Sequence, residues 1–464
     1  MKRTVIFLIS FLAIKTYSVA QQRMPLTLQQ CMDYAVKNNY TIKNAQLDVM
    51  IQRAEVAQTL SAAYPHINAR AEFDDYVVPQ RTYFPTGIFG SIFTPLLTAN
   101  PGLASPAVNP DAPAYTAIQI SPQYSGTASA SLTQPLFDGG VLVALQARDA
   151  VILSAQQAGA VTEEGVRYNV LKAYNSLVIA YRQYDIIKES LKYARNIEHD
   201  VTVTKENGLA EKIDVERTSV QVNNLATDSI RIGNVLVTSE QLLKYQMGMD
   251  INTPIMLTDT NIANRQDHVL KLVNEEKDYS RIPEYNLYQT QLTLNQFNVK
   301  RYQYAGYPTL NLVANGGFNS ASENFSDFGV SNNYLGYALV GLQLNMPIFN
   351  GFLRKNQVRE AKLNVQKSQN NIEYIKQTID FQAASSKTSL KNSVLQVQSQ
   401  RRNMELANDV LDLAQRKYKA GVGSNLEVTQ AETDKLMAQT NYFNALLDLI
   451  NAEADLEKAL GLLK

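Results

Sequence analysis

Polar and apolar residues alternate strictly in four short stretches of this chain. Ile67, Ala69, Ala71 and Phe73 share one face, while His66, Asn68, Arg70 and Glu72 share the other. Ala128, Ala130 and Leu132 stand opposite Thr127, Ser129, Ser131 and Thr133. Leu310, Leu312 and Ala314 oppose Thr309, Asn311 and Asn315; Ala338, Val340, Leu342, Leu344 and Met346 oppose Gly341, Gln343 and Asn345. A period of two predicts strands with one apolar and one wet face, at about 65–76, 124–135, 308–318 and 337–347.

Long stretches elsewhere carry the helical period. Residues 139–207 and 351–420 contain no proline, and about 69 residues at ~1.5 Å each predict rods of roughly 100 Å. In the first rod Val166, Val170, Ala173, Leu177, Ala180, Tyr184, Ile187, Leu191 and Ala194 alternate steps of four and three, a coiled-coil seam. In the second, Ala383, Leu390, Val397, Met404, Leu411 and Tyr418 recur every seven. Shorter return helices are predicted at 212–247 and 425–460, and helices at 41–64 and 282–306 precede the strands. One helix of each kind, end to end, gives about sixty residues or roughly 90 Å, close to a rod.

These landmarks occur twice in one order, which marks a duplication. "AAYPHINARAEF" (62–73) resembles "AGYPTLNLVANGGF" (305–318), and "QPLFDGG" (134–140) resembles "MPIFNGF" (346–352). Gly139 and Gly351 are 212 residues apart, Gly208 and Gly421 are 213, and Gly248 and Gly461 are 213. Tyr64-Pro65 and Tyr307-Pro308 are 243 apart, because the first copy holds extra residues between its strands. The predicted division is an export signal at 1–20, a first repeat at 21–250, an equatorial linker region at 251–280 and a second repeat at 281–464. At each strand-to-rod junction, Asp138 and Asn350 are placed to cap the rod, and Pro135 and Pro347 to end the ladder.

Each strand has about the ten residues that a tilted crossing of a bilayer needs. The rest of the chain is committed to long helices, so little remains to cover an apolar sheet face. Four strands cannot close a barrel, since membrane barrels start at about eight; three copies would pool twelve. Segment 79–122 holds eight of the fifteen prolines and reads as a long loop on the outer side. An ordinary sheet on a soluble core is the competing reading.

Composition narrows the function. Lys2 and Arg3, the apolar run Val5 to Ile14 and Ser18-Val19-Ala20 form a secretory signal. Removing it takes Lys2, Arg3 and Lys15 and leaves 40 basic against 43 acidic residues, a net charge of −3. Such a balance argues against nucleic acid as a partner. Cys31 is the only cysteine, lies in a helical pattern where a small buried residue fits, and stands too far from the cleavage site to carry a lipid anchor. His66, His199 and His268 are scattered, "GVGS" at 421–424 lacks the lysine of a phosphate loop, and the adjacent Glu163 and Glu164 cannot converge on one substrate. No enzyme, metal site or cofactor is expected.

The ordered pieces "LTLQQCMDYAVKNN", the two "YP" pairs, "QPLFDGG"/"MPIFNGF", "ENGLAEKIDVERTSV" and "YKAGVGSNLEVTQAETD" cover essentially the whole mature chain. In this arrangement the chain resembles the TolC-like outer-membrane factor family. The resemblance implies a mixed α+β membrane protein with four membrane β-strands and long antiparallel α-helices per protomer. It implies a homotrimer whose 12-stranded β-barrel is continuous with an α-barrel of twelve helical columns crossing the periplasm. Its partners would be outer-membrane lipid, a periplasmic adaptor (membrane fusion) protein and an inner-membrane transporter. By the same resemblance Gly208, Leu209 and Ala210, with Gly421, Val422 and Gly423, form the adaptor-binding tips. Asp214 and Tyr418 would form a closed-state latch, and Glu427 the pore constriction, with Gln430 where a second acid would stand. An arginine that helps latch related channels would fall at Gly423, which cannot replace it. The same glycines also read as plain helix C-caps, and Asp214 and Glu427 as first-turn acids favoured by the helix dipole.

The leading functional expectation is an outer-membrane exit duct of a tripartite efflux system for small toxic molecules. A channel for type I protein secretion shares this architecture. A soluble periplasmic coiled-coil scaffold is the alternative from another class.

Overall fold

The computed structural model describes residues 24–85, 114–259, 266–327 and 334–463. The export signal read at 1–20, and the middle of the proline-rich segment, lie outside the described residues. The chain divides into two compact units. One comprises Ala54–Arg148 and Asn295–Leu363; the other comprises Met1–Arg53, Asp149–Leu294 and Asn364–Lys464.

In chain order the elements are β1 (Met24–Leu26), α1 (Leu28–Asn38), α2 (Tyr40–Ser61), β2 (His66–Asp75), β3 (Arg81–Pro85), β4 (Tyr115–Gln119) and β5 (Tyr124–Phe137). Then come α3 (Gly139–Glu206), α4 (Lys212–Met247), β6 (Ile255–Leu257), α5 (Gln266–Asn274) and α6 (Pro283–Tyr304). The chain ends with β7 (Thr309–Ser322), β8 (Tyr334–Asn345), α7 (Leu353–Lys419) and α8 (Asn425–Ala459).

The first unit is built on a four-stranded antiparallel sheet in the order β2-β5-β7-β8. Its register gathers the alternating apolar residues onto one face. Ala69 pairs with Ala130, Ala130 with Gly316 and Gly316 with Ala338; Leu132 pairs with Ala314 and Ala314 with Val340. A slip of one residue would scatter that face, so the pattern fixes the pairing. The face is open: Ile67 and Val340 are 72% exposed, Leu342 is 67% and Leu344 is 65%. Among the described residues β2 and β8 are the unpaired edges.

Three junction features differ from the sequence expectation. Pro135 lies inside β5, opposite Asn311, with an irregularity before Phe137; the ladder tolerates it there and runs on. β8 stops at Asn345, two residues before Pro347. The Asp138 carboxylate accepts the amides of Gly140 (2.7 Å) and Val141 (3.2 Å) and caps α3. Asn350 caps nothing, because Gly351 and Phe352 take φ of 61° and 63° and α7 starts only at Leu353. The segment read as one loop from 79 to 122 contains a hairpin extension, β3 paired with β4.

The second unit is helical. The Leu28 helix α1 begins with a capping box in which Thr27 and Gln30 satisfy each other's amides. β1 and β6 form a short parallel pair, and Leu26, Ile255, Leu257, Val269 and Leu272 join Cys31, Met32 and Ala35 in the main core. β6 and α5 both fall inside the region 251–280 read as a linker, for which the sequence had suggested no regular element. Cys31 is fully buried, which pushes its thiol up to about 12. The predicted seam is buried from Val166 to Ala194, with Tyr184 only partly so. Leu171, Tyr174, Val178 and Ile179 bury a further face of α3 in the same core.

Helices in this unit meet end to end as well as side by side. α4 closes at Gly248 (φ 69°), and a Cβ there would stand 2.8 Å from Asn38 O and Asn39 Cα, at the start of α2. Asn39 Nδ2 donates to Gln246 O at 2.8 Å across the same joint. α8 closes at Gly461 (φ 68°), where a Cβ would stand 2.8 Å from Arg281 O, beside the start of α6. Only glycine combines that φ with so close an approach.

Candidate functional site: the helical tips

Each long helix turns into its return helix through the same backbone device. After α3 the Gly208 amide donates to Lys205 O (2.9 Å) and the Leu209 amide to Thr204 O (3.0 Å). After α7 the Gly421 amide donates to Tyr418 O (3.0 Å) and the Val422 amide to Lys417 O (3.1 Å). This double bond pattern with a left-handed glycine is a Schellman cap, and φ is 75° at Gly208 and 76° at Gly421. The caps leave Leu209 81% and Val422 78% exposed. Two apolar side chains are thereby held in water on rigid turns.

The returning helices start differently. The amide of Glu211 donates to Asp214 Oδ2 at 3.3 Å, so the half-buried Asp214 carboxylate serves the start of α4. The Ser424 hydroxyl accepts the Glu427 amide at 3.2 Å and caps α8. Glu427 and Gln430 are both exposed, and Gln430 Nε2 donates to Asp434 Oδ1 at 2.9 Å. Tyr418 is half-buried; burial raises its pKa, and the nearby Asp200 and Asp214 carboxylates add to the rise. Tyr418 and Asp214 therefore lie within reach of each other's field, yet among the described residues no hydrogen bond joins them.

A short way along the helices from the turns lies a polar cluster that the sequence reading missed. Glu432 on α8 is only 5% exposed, and its Oε1 accepts the Ser190 hydroxyl of α3 at 3.1 Å. Gln415 Nε2 of α7 donates to the Tyr193 hydroxyl of α3 at 2.8 Å. Gln183 of α3 donates to Asn444 Oδ1 of α8 at 2.9 Å. Glu432 did leave a signal: it falls beside Val428 and Ala431 in a buried stripe, where the helical period asks for an apolar residue. Its partner is 242 residues away, so the pairing was not legible.

Among the described residues no group of three or more His, Cys, Asp or Glu could hold a metal ion. No helix among them is long and apolar enough to cross a membrane.

The chain is a duplicated array of helical hairpins with four half-apolar strands. The sequence profile of the outer membrane efflux protein family matches residues 32–248 and 289–462. The chain belongs to that family. It is 24% identical over 348 residues to the toluene efflux pump outer membrane protein TtgC of Pseudomonas putida, covering 74% of this chain and 70% of that protein. It is 23% identical over 355 residues to the outer membrane protein TolC of Escherichia coli, covering 73% and 69%. The fold is also that of the Campylobacter jejuni CmeC outer membrane channel, with a TM-score of 0.70, 17% identity and coverage of 94% of this chain and 85% of that one. The open state of the Neisseria gonorrhoeae MtrE outer membrane channel gives 0.67, with 17% identity and coverage of 94% and 88%. The protein is thus an outer-membrane efflux channel, and the soluble-scaffold alternative falls.

Proposed function

We propose that three copies close a twelve-stranded barrel in the outer membrane and form the exit duct of a tripartite efflux system for small toxic molecules. The observation that carries this is the open apolar sheet face with two unpaired edges, β2 and β8. Lipid satisfies the face, and only other copies satisfy the edges without exposing backbone groups to hydrocarbon.

The duplication supplies the register of the missing contact. β5 corresponds to β8 at an offset of 212, and β7 to β2 at 243. The β5–β7 ladder, with Ala130 opposite Gly316 and Leu132 opposite Ala314, is therefore a template for β8 against a neighbouring β2. It places Leu342 opposite Phe73 of the partner subunit and Leu344 opposite Ala71 of the partner subunit. Both of these pairs keep apolar on apolar, as Ala130–Gly316 and Leu132–Ala314 do within the chain. Leu344→Cys combined with Ala71→Cys should yield a disulfide-linked species of three chains in outer-membrane extracts. Leu344→Cys with Arg70→Cys, one residue out of register, should not. Equal cross-linking by both pairs, or a detergent-extracted particle of one chain mass (51.7 kDa for the full sequence), would overturn the assembly.

In this reading the turns Gly208, Leu209 and Ala210 and Gly421, Val422 and Gly423 dock a periplasmic adaptor linked to an inner-membrane transporter. Exposed Leu209 and Val422 support this. Glu427 lines the narrow end, where a ring of three carboxylates focuses cations, with Gln430 beside it. Asp214 and Tyr418 contribute to the closed state through their proximity. Glu427→Gln should weaken block by multivalent cations added from the periplasmic side of a planar bilayer; unchanged block removes Glu427 from the constriction.

A further inference from the structure

Glu432 is an acid buried between helices, and its environment is only half completed. Oε1 accepts Ser190, and Lys435 Nζ stands 3.9 Å from it, but buried Oε2 has no hydrogen-bond partner. Beside it is a cavity of about 20 Å³ lined by Tyr193, Thr218, Gln221, Thr429 and Glu432, together with Ala194, Ile197 and Val428. That is room for one water, and the lining gives a water several polar partners. The Tyr193 hydroxyl accepts Gln415, while its own proton has no acceptor among the described side chains. Glu432 and Tyr193 both line this cavity.

We propose that Glu432 is the hub of a polar lock between the α3–α4 hairpin and the α7–α8 hairpin, direct through Ser190 and water-bridged to Tyr193 and Gln415. The proposal rests on the reading of the tips as the gated end of a duct. The chemistry of the seam suits a gate. Farther from the turns, Leu177 of α3 and Leu446, Leu449 and Ile450 of α8 lie in the large apolar core, whereas at the Glu432 level only smaller clusters around Leu191 and Val428 flank the polar contacts. Parting the large core would expose apolar surface. Parting the Glu432 region exposes less apolar surface and exchanges its hydrogen bonds for bonds to water. The hairpins are thus clamped by a large apolar core at one level and by small apolar clusters with exchangeable polar contacts nearer the turns.

The test uses the full chain with Leu209→Cys and Val422→Cys, spin-labelled and diluted into unlabelled copies. Buried Cys31 stays unlabelled at neutral pH. Double electron–electron resonance should give one narrow separation in the parent. Glu432→Ala should broaden it to longer distances and raise the open fraction in planar bilayers roughly fivefold, the effect of losing one such bond. Glu432→Gln, which keeps the shape and an acceptor for Ser190, should restore most of the narrow distribution. If Glu432→Ala does not fold, Ser190→Ala breaks the same bond from the other side. A folded Glu432→Ala or Ser190→Ala with the parent's separation overturns the lock. A parent with a narrow separation and no conductance would instead overturn the duct and leave the lock standing.

Discussion

The two strand-to-helix junctions share a sequence plan and differ in structure. At the first, β5 runs to Phe137, Asp138 caps, and α3 starts at Gly139 against the backbone of Tyr304; a Cβ on Gly139 would stand 2.5 Å from Tyr304 O. At the second, β8 stops at Asn345, Met346–Asn350 form no regular structure, and Phe352 sits at a positive φ that bulky residues avoid. Ile348 is 87% and Phe349 73% exposed there. The difference is the neighbour. The first junction rests on α6 and β7 of its own chain; in the proposed trimer the counterpart surface for the second is the end of α2 and β2 of the partner subunit. On that proposal, the chain displays internally a template for half of the interface.

That comparison can be broken by substitution. Gly139→Ala should be the most damaging, by about 2–3 kcal/mol, because overpacking meets backbone rather than a flexible tip. Asp138→Ala should cost about 1 kcal/mol through two uncapped amides. Gly351→Ala meets nothing within 4 Å, so only its φ of 61° penalises it, again by about 1 kcal/mol. Asn350→Ala should stay within about 0.5 kcal/mol, since its side chain caps nothing. Phe352→Asn should be nearest to neutral: relief of about 1 kcal/mol of backbone strain offsets loss of the ring pair with Phe349, whose centroids are 5.4 Å apart. Heat-resistance of the detergent-extracted oligomer orders the series. Asn350→Ala matching Asp138→Ala would show that the junctions are equivalent after assembly.

The strands were legible because one face of the sheet is mostly apolar, so Ile67 to Phe73 carry an unbroken period of two and Ala338 to Leu344 one broken only by Leu339. The seam from Val166 to Ala194 was legible for the matching reason at 3.6. What was not legible is what lacks a period. β1 and β6 have three residues each, and β3 and β4 five, too few to show alternation. The second buried face of α3 (Leu171, Tyr174, Val178 and Ile179) reads in sequence only as surplus apolar residues. Of the tips, the glycine turns could be read because a left-handed cap needs glycine. The Ser190–Glu432 and Tyr193–Gln415 pairs could not, since they join residues from different repeats.

Open edges have a consequence for how this protein comes into being. A newly exported copy carries two zippers of bare peptide groups and a surface that water rejects. Any strand will do as a partner, so the single copy is its most hazardous form. In the proposed trimer, folding of the sheet and meeting of the siblings are therefore nearly one event, and the helices, which have a core of their own, can wait.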